Sequence, residues 1–400
     1  MVRFTLNSGP LVCILIIFLA VIGGYFLCTL DSYKPLHLVE EELLPNFEDD
    51  LDPHSLIQSA ERQIAYLKRF PPDTTFNLVD ESLGVTRLTQ SLETLIGELH
   101  RHPSPDELKI FLRDKYRIYQ AGGREGKRGR QMLVTGYYEP LFDGSLTKKD
   151  PYIYPVYAIP DSLVVRSDDD QTEVGRYDQN NGFSPYWSRA EIENDNLLKG
   201  FELAYLRDPF DAFLLHVQGS GKIRLPDNSI RALRFAGSNG LEYNSIGKLL
   251  VDEKALDLAE VNIPAIRSYL ERHPEQQKRI FHHNPRYIFF TWGDNRGPVG
   301  SSGEVLTPGR SIAIDVSALP TGTIGYLTTQ RPVTDTDGTI TGWRPLHRFV
   351  FPQDTGAAIK GTGRVDLFWG SDPYARVAAG NMKEKGKLYF LVLKEDNNPK

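Results

Sequence analysis

Four hundred residues, 40% of them hydrophobic and 11% aromatic, are too many for one ordinary domain and too apolar for a disordered chain. A net charge of −6 excludes the basic field that nucleic-acid binding requires. The two cysteines, Cys13 and Cys28, leave the chain after Cys28 free of thiols, which excludes a disulfide framework, a zinc thiolate site and a cysteine nucleophile there.

Residues 4–30 carry no charge, and the apolar centre LVCILIIFLAVIGGYFL is about 17 residues long, near the lower limit for crossing a bilayer. Arg3 before it and Asp31 after it orient the amino terminus to the cytoplasm and the bulk of the chain outside. No small-x-small cleavage site follows, so residues 1–30 are expected to be an uncleaved membrane anchor. Cys28 offers a lipid attachment point, but Leu27 is bulkier than the residue that precedes such a cysteine.

Residues 31–52 read as an acidic tether. Glu40, Glu41, Glu42, Glu48, Asp49, Asp50 and Asp52 repel one another and alternate with Pro35 and Pro45. Helices are expected between Pro53 and Tyr119. Leu56, Ala60, Ile64 and Leu67 share one helical face, and Val85, Leu88, Leu92, Leu95, Ile96 and Leu99 form a second stripe. Ser104, Pro105 and Glu107 open a third helix, expected to end before Gly122. The basic stretch Arg124–Arg130 reads as a surface loop.

From Gln131 the pattern turns to strands, in MLVTGYYEPLF and YIYPVYAIP. Ser188 and Glu191 predict a capped helix that Gly200 stops. Strands are expected to resume at AFLLHVQGSGKIRL, with short helices over Ser245–His283. From Tyr287 onward RYIFFTW, SIAIDVSAL, TIGYLTT, HRFVFP, RVDLFW and KLYFLVLK predict a small barrel. The expected organisation is a barrel unit with N-terminal helices, 53–139 and 281–400, interrupted by a β-rich unit, 140–280. Ligands bind in the groove where such units meet.

The residues most suggestive of chemistry lie in DTGAAIKGTGRVDLFWG. Asp366 sits among Val365, Leu367, Phe368 and Trp369, and an apolar setting keeps a carboxyl protonated. Such a group can protonate a poor leaving group. Asp354 and Asp315 also adjoin apolar strand residues, and are expected to fix loops or tune that acid. Tyr137, Tyr138 and Glu139 in GYYEP, and Gln218, Gly219, Ser220 and Gly221 in HVQGSGKIRL, offer aromatic faces and hydrogen-bonding groups suited to sugar rings. Lys360 and Trp369 are further candidates for glycan contact. There is no phosphate-binding loop, no H-E-x-x-H zinc motif and no G-x-S-x-G elbow.

GYYEP, SRAEIE, HVQGSGKIRL, FAGSNGLEYNSIGKLL, LTPGRSIAIDVSALPTG and DTGAAIKGTGRVDLFWG, in this order, resemble the membrane-bound lytic murein transglycosylase A family over about Gln131 to Lys394. The resemblance implies a double-psi β-barrel with an inserted β-rich domain and glycan in the groove between them. It implies cleavage of the β-1,4 bond between N-acetylmuramic acid and N-acetylglucosamine in peptidoglycan, leaving a 1,6-anhydromuramic end. By motif the three aspartates of the barrel module fall on Asp315, Asp354 and Asp366, and the catalytic acid on Asp366. The partners implied are glycan strands and, through the N-terminal segment, a membrane of a Gram-negative envelope, with the catalytic part in the periplasm. Family members are usually outer-membrane lipoproteins, from which the residue before Cys28 departs. No metal or organic cofactor is expected, and a monomer is, with a cell-wall synthesis complex as an added partner. Two rival readings are a hydrolase using Asp354 or Asp315 as base, and a glycan-binding protein without chemistry.

Overall fold

A computed structural model describes residues 34–395 apart from 79–80, 125–127, 169–170 and 295. The expected anchor, residues 1–30 with Cys13 and Cys28, lies outside the described residues. Among those described, no helix is long and apolar enough to cross a membrane.

The protein is mixed α/β, built on a closed barrel of six strands. Around the ring run Lys383–Leu393, Ile324–Thr334, Ile340–Asp354, Ser311–Ala313, Arg364–Phe368 and Met132–Tyr137, and the last pairs again with the first. Two contacts are parallel: Ser311–Ala313 with Ile340–Asp354, and Arg364–Phe368 with Met132–Tyr137. Alternation decides what each strand shows. Val365 and Leu367 are fully buried in the barrel, so Arg364 and Asp366 between and beside them turn to the other face, where both are half-buried. Helices Pro53–Leu67 and Val85–Leu99 cover the barrel with the two apolar stripes read from the sequence. Each buried leucine in those stripes contributes about 1.5–3 kcal/mol. The capping boxes at Ser104 and Ser188 are both formed.

Four expectations are corrected here. RYIFFTW is not a barrel strand. Its strand, Ile288–Gly293, pairs with Ile230–Ser238 in a second, six-stranded sheet. The reason is burial on both faces: Ile288 and Phe290 enter one core of that sheet while Phe289 enters another. The barrel takes Met132–Tyr137 as its sixth strand instead. Second, AFLLHVQ is helical, within Pro209–Gln218. Asp208 caps it by accepting from Asp211 N, Pro209 opens it, and Gly219 closes it in the left-handed region at φ 75°. These end signals outweigh the β-branched and aromatic content. Third, two helices stop short: the one after Ser104 ends at Lys115, and Tyr116–Ala121 is a strand on the edge of Lys383–Leu393. Likewise the helix after Ser188 ends at Asp195, with left-handed Asn196 rather than Gly200 beyond it.

The fourth correction concerns the acidic tether. The described part, from Lys34, is folded onto the barrel. Leu36–Leu38 adds a strand beside Tyr116–Ala121, and Phe47 is buried against Tyr326 at a ring separation of 5.0 Å. The carboxylates that would repel one another meet arginines. Asp49 pairs with fully buried Arg310 at 2.5 Å, and Asp50 with Arg348 at 2.6 Å and Arg331 at 3.0 Å. Charge that solvates an isolated segment here anchors it, because the partners lie far along the chain.

The second sheet runs in the order Ile288–Gly293, Ile230–Ser238, Gly221–Arg224, Leu141–Ser145, Glu202–Leu206, Tyr154–Tyr157. Helix Ile263–Arg272 at its edge meets helix Pro373–Asn381 of the barrel side, with the Asn262 amide donating to Asn381 Oδ1 at 3.3 Å.

Candidate active site

The register of the barrel sets out the site. Ala313 pairs with Asp354 on one side and with Asp366 on the other, and Asp366 in turn pairs with Thr135. Two carboxylates and a hydroxyl therefore lie in one row across neighbouring strands. Thr135 Oγ1 donates to Asp366 Oδ1 at 2.8 Å. Burial pushes the Asp366 carboxyl up to about 6. The Thr135 hydrogen bond and the Arg364 charge oppose this rise, and Asp354 adds a smaller repulsion. A half-buried proton donor whose pKa burial lifts to about 6 is what the row presents.

Asp354 is held differently. Tyr137 OH donates to its Oδ2 at 2.9 Å, and the backbone N–H groups of Ser301 and Thr355 donate to Oδ1 at 3.0 and 2.9 Å. Burial still pushes it above the usual carboxylate range, against those hydrogen bonds. Both oxygens are occupied, so Asp354 serves as an anchor for the loop around Ser301. Asp315 stands outside the row. Its Oδ1 accepts from Ser317 N and Oγ, and its Oδ2 from Gly361 N at 2.7 Å. Burial alone would raise its pKa, but the hydrogen bonds of Ser317 and Gly361 and the charge of Lys360 hold it below the ordinary value. An ionised Asp315 pins the glycine-rich loop that leads from Asp354 to Asp366.

The two upstream motifs meet at the seam between barrel and second sheet. Tyr137 reaches Asp354, with its ring 5.2 Å from Phe368. Tyr138 is buried, and its N–H donates to Gln218 Oε1 at 3.2 Å. Lys222 N donates to Pro140 O at 2.7 Å, next to Gly221, where a Cβ would lie 2.8 Å from Leu215. Glu139 is 2% exposed and held between Arg234 at 2.6 Å and Lys222 at 3.0 Å, so its carboxylate is committed within the protein. Trp369 is buried too, edge-on to Tyr374 at 5.7 Å; its backbone N–H donates to Tyr137 O, and its indole N–H is buried without a partner. Lys360 is exposed, and Ser220 half-buried.

Three residues of the site escape a sequence reading. Thr135 owes its place to a parallel pairing that no local pattern signals. Ser301 lies in an irregular glycine-serine loop. Arg364 was within reach, since period two puts it on the face of Asp366.

The Tyr137 hydrogen bond carries a prediction. Tyr137→Phe leaves the ring and removes one donor to Asp354. Activity is expected to fall about tenfold with the fold intact, as one hydrogen bond to a charged group is worth roughly 1.5–3 kcal/mol. Steady-state kinetics beside circular dichroism checks it; unchanged turnover would remove Tyr137 from the network.

Residues 133–291 match the MltA specific insert domain and residues 310–392 the 3D domain. The chain is 31% identical over 283 residues to the membrane-bound lytic murein transglycosylase A of Vibrio cholerae, covering 70% of this chain and 69% of that protein. The chain belongs to the membrane-bound lytic murein transglycosylase A family. It is a peptidoglycan lytic transglycosylase by that membership. The Escherichia coli K12 relative is 33% identical over 260 residues, 64% of each chain. Among solved structures, the membrane-bound lytic murein transglycosylase from Agrobacterium tumefaciens superposes with a TM-score of 0.73 at 27% identity, over 90% of this chain and 97% of that one. The E. coli MltA structure with bound chitohexaose gives 0.68 at 25% identity, over 90% and 95%.

Proposed function

We propose that Asp366 alone cleaves the bond between N-acetylmuramic acid and N-acetylglucosamine, first as general acid and then as base. Protonated Asp366 donates to the glycosidic oxygen as the muramic ring gains oxocarbenium character. Its carboxylate then takes the proton of the C6 hydroxyl of the same sugar, and O6 closes on C1 to give the 1,6-anhydro end. A nucleophile within the substrate replaces water, and proximity lowers the barrier by several kcal/mol. The observation that carries this reading is the Asp366 carboxyl, raised to about 6 by burial yet accessible and fixed by Thr135. Asp354 and Asp315 keep the loops on either side in register.

The barrel is read as a double-psi barrel, in keeping with its two parallel contacts. The inserted unit extends from about Pro140 past Gly293, and glycan lies in the groove between the two units, a reading that the chitohexaose-bound relative supports. Residues 1–30 anchor the enzyme to an envelope membrane of a Gram-negative cell, with the body in the periplasm and working as a monomer.

The test is the product. Purified full-length chain incubated with sacculi is expected to release muropeptides lighter by one water than hydrolysis products, read by mass spectrometry. Hydrated reducing ends would make the protein a hydrolase, and no soluble product would make it a binder.

A further inference from the structure

The buried arginines of this protein have carboxylate partners: Arg310 with Asp49, Arg348 with Asp50, Arg234 with Glu139, Arg189 with Glu193. Arg364 differs. It is half-buried, its Nε is buried without a hydrogen-bond partner, and no described residue accepts from its guanidinium. A desolvated donor without a partner destabilises a fold, so its retention calls for another reason. Its position supplies one. Arg364 precedes Asp366 by two on the same strand and faces the same way. Its charge acts on Asp366 and also on Tyr243 of the second unit.

We propose that Arg364 is a receptor for a carboxylate of the substrate, held beside the sugar whose bond Asp366 attacks. A guanidinium matches a carboxylate with two parallel hydrogen bonds, and among the described residues no carboxylate is hydrogen-bonded to Arg364. The muramic residue is the sugar of peptidoglycan that bears a lactyl group, free as a carboxylate when the stem peptide is absent. When the stem is present, its acidic residues carry the charge from the same point. Either source presents one anion on the sugar that reacts at Asp366. The inference rests on the glycan-cleaving reading above.

The test uses the full-length chain in detergent, as wild type, Arg364→Gln and Arg364→Lys. Substrates are glycan strands with stem peptides and strands stripped of them, and chitohexaose is the neutral binding probe. Arg364→Gln is expected to raise KM by about tenfold or more on the carboxylate-bearing strands, the worth of one charge-assisted pair. Arg364→Lys recovers part of it, and chitohexaose binds all three proteins alike. A rise confined to stripped strands assigns the lactyl carboxylate; one confined to peptide-bearing strands assigns the stem. A second measurement needs no variant: N-acetylmuramic acid is expected to inhibit the wild type at least about tenfold better than N-acetylglucosamine. Equal loss for chitohexaose, an unchanged KM on both strands, or equal inhibition by the two sugars would overturn the proposal. Absence of anhydro products from the wild type would instead overturn the reading on which it rests.

Discussion

Asp366→Asn is expected to abolish cleavage while the protein still folds and binds chitooligosaccharide. The substitution keeps the shape and the partner for Thr135 but removes the proton that the proposed mechanism delivers. General acid–base catalysis contributes about 10²–10⁴ in rate, and in the mechanism proposed above one group performs both steps, so the loss lies at or beyond the upper end. The same carboxyl sets two pH dependences. Because burial lifts its pKa to about 6, kcat/KM is expected to fall on the alkaline side of about pH 6, as the free enzyme loses its acid. Stability moves in the same sense. A carboxyl whose folded pKa is raised costs nothing below its unfolded value near 4, and destabilises increasingly as pH rises to about 6, where the cost levels off. That cost is on the order of 2–3 kcal/mol, and the Asn variant escapes it. The variant should therefore melt higher than wild type at pH 7 and lose that advantage at pH 4. Calorimetry at the two pH values, alongside turnover, checks both. Residual turnover near wild type, or a pH-independent difference in melting, would remove Asp366 from its role.

Arg310→Met is expected to destabilise the protein by about 3–5 kcal/mol, the usual cost of breaking a buried ion pair on one side. Arg310 is fully buried, and its guanidinium donates to Asp49 Oδ2 at 2.5 Å, Phe349 O at 3.0 Å, Asp52 O at 2.9 Å and Ser55 Oγ at 3.1 Å. Methionine fills much of the volume but donates to none of those four acceptors. Asp49 Oδ2, which also accepts from Phe349 N at 3.0 Å, would remain as a half-buried charge. Arg310 immediately precedes Ser311–Ala313, the short strand between Asp354 and Asp366, so activity should fall with stability. Adding Asp49→Asn removes the orphaned charge and should recover part of the loss, a non-additivity expected only for residues in contact. Thermal unfolding of the three variants measures this. At roughly 2–4 °C per kcal/mol for chains of this kind, a single variant within about 2 °C of wild type would show that the clamp carries little.

Much of the catalytic half was legible in the sequence because it rests on local patterns. The helical stripes from Leu56 and Val85 and the capping boxes at Ser104 and Ser188 depend on neighbours within a few positions, whereas Asp366 faces away from Val365 and Leu367, the adjacent residues that suggested its apolar setting. What escaped depends on partners far away. The acidic stretch before Pro53 reads as solvated because its arginines lie some 260–300 positions later. RYIFFTW carries barrel-like composition, and only the position of its two cores reveals which sheet it joins. Glu139 and Trp369 are polar-tipped residues in a motif, and their burial depends on Arg234, Lys222 and Tyr374. Thr135 was hidden for the same reason: its link to Asp366 spans 231 positions.

The docking of Leu36–Leu38 bears on how far the enzyme can roam. Pro35 O already accepts from Gly122 N at 2.8 Å, and Leu36 is buried, so the rigid body begins five positions after Leu30. Five residues at full extension bridge roughly 17 Å. If residues 1–30 anchor the chain as proposed above, the folded body would have no leash: it would work within one short arm's length of that membrane, and glycan beyond that shell would have to come to it.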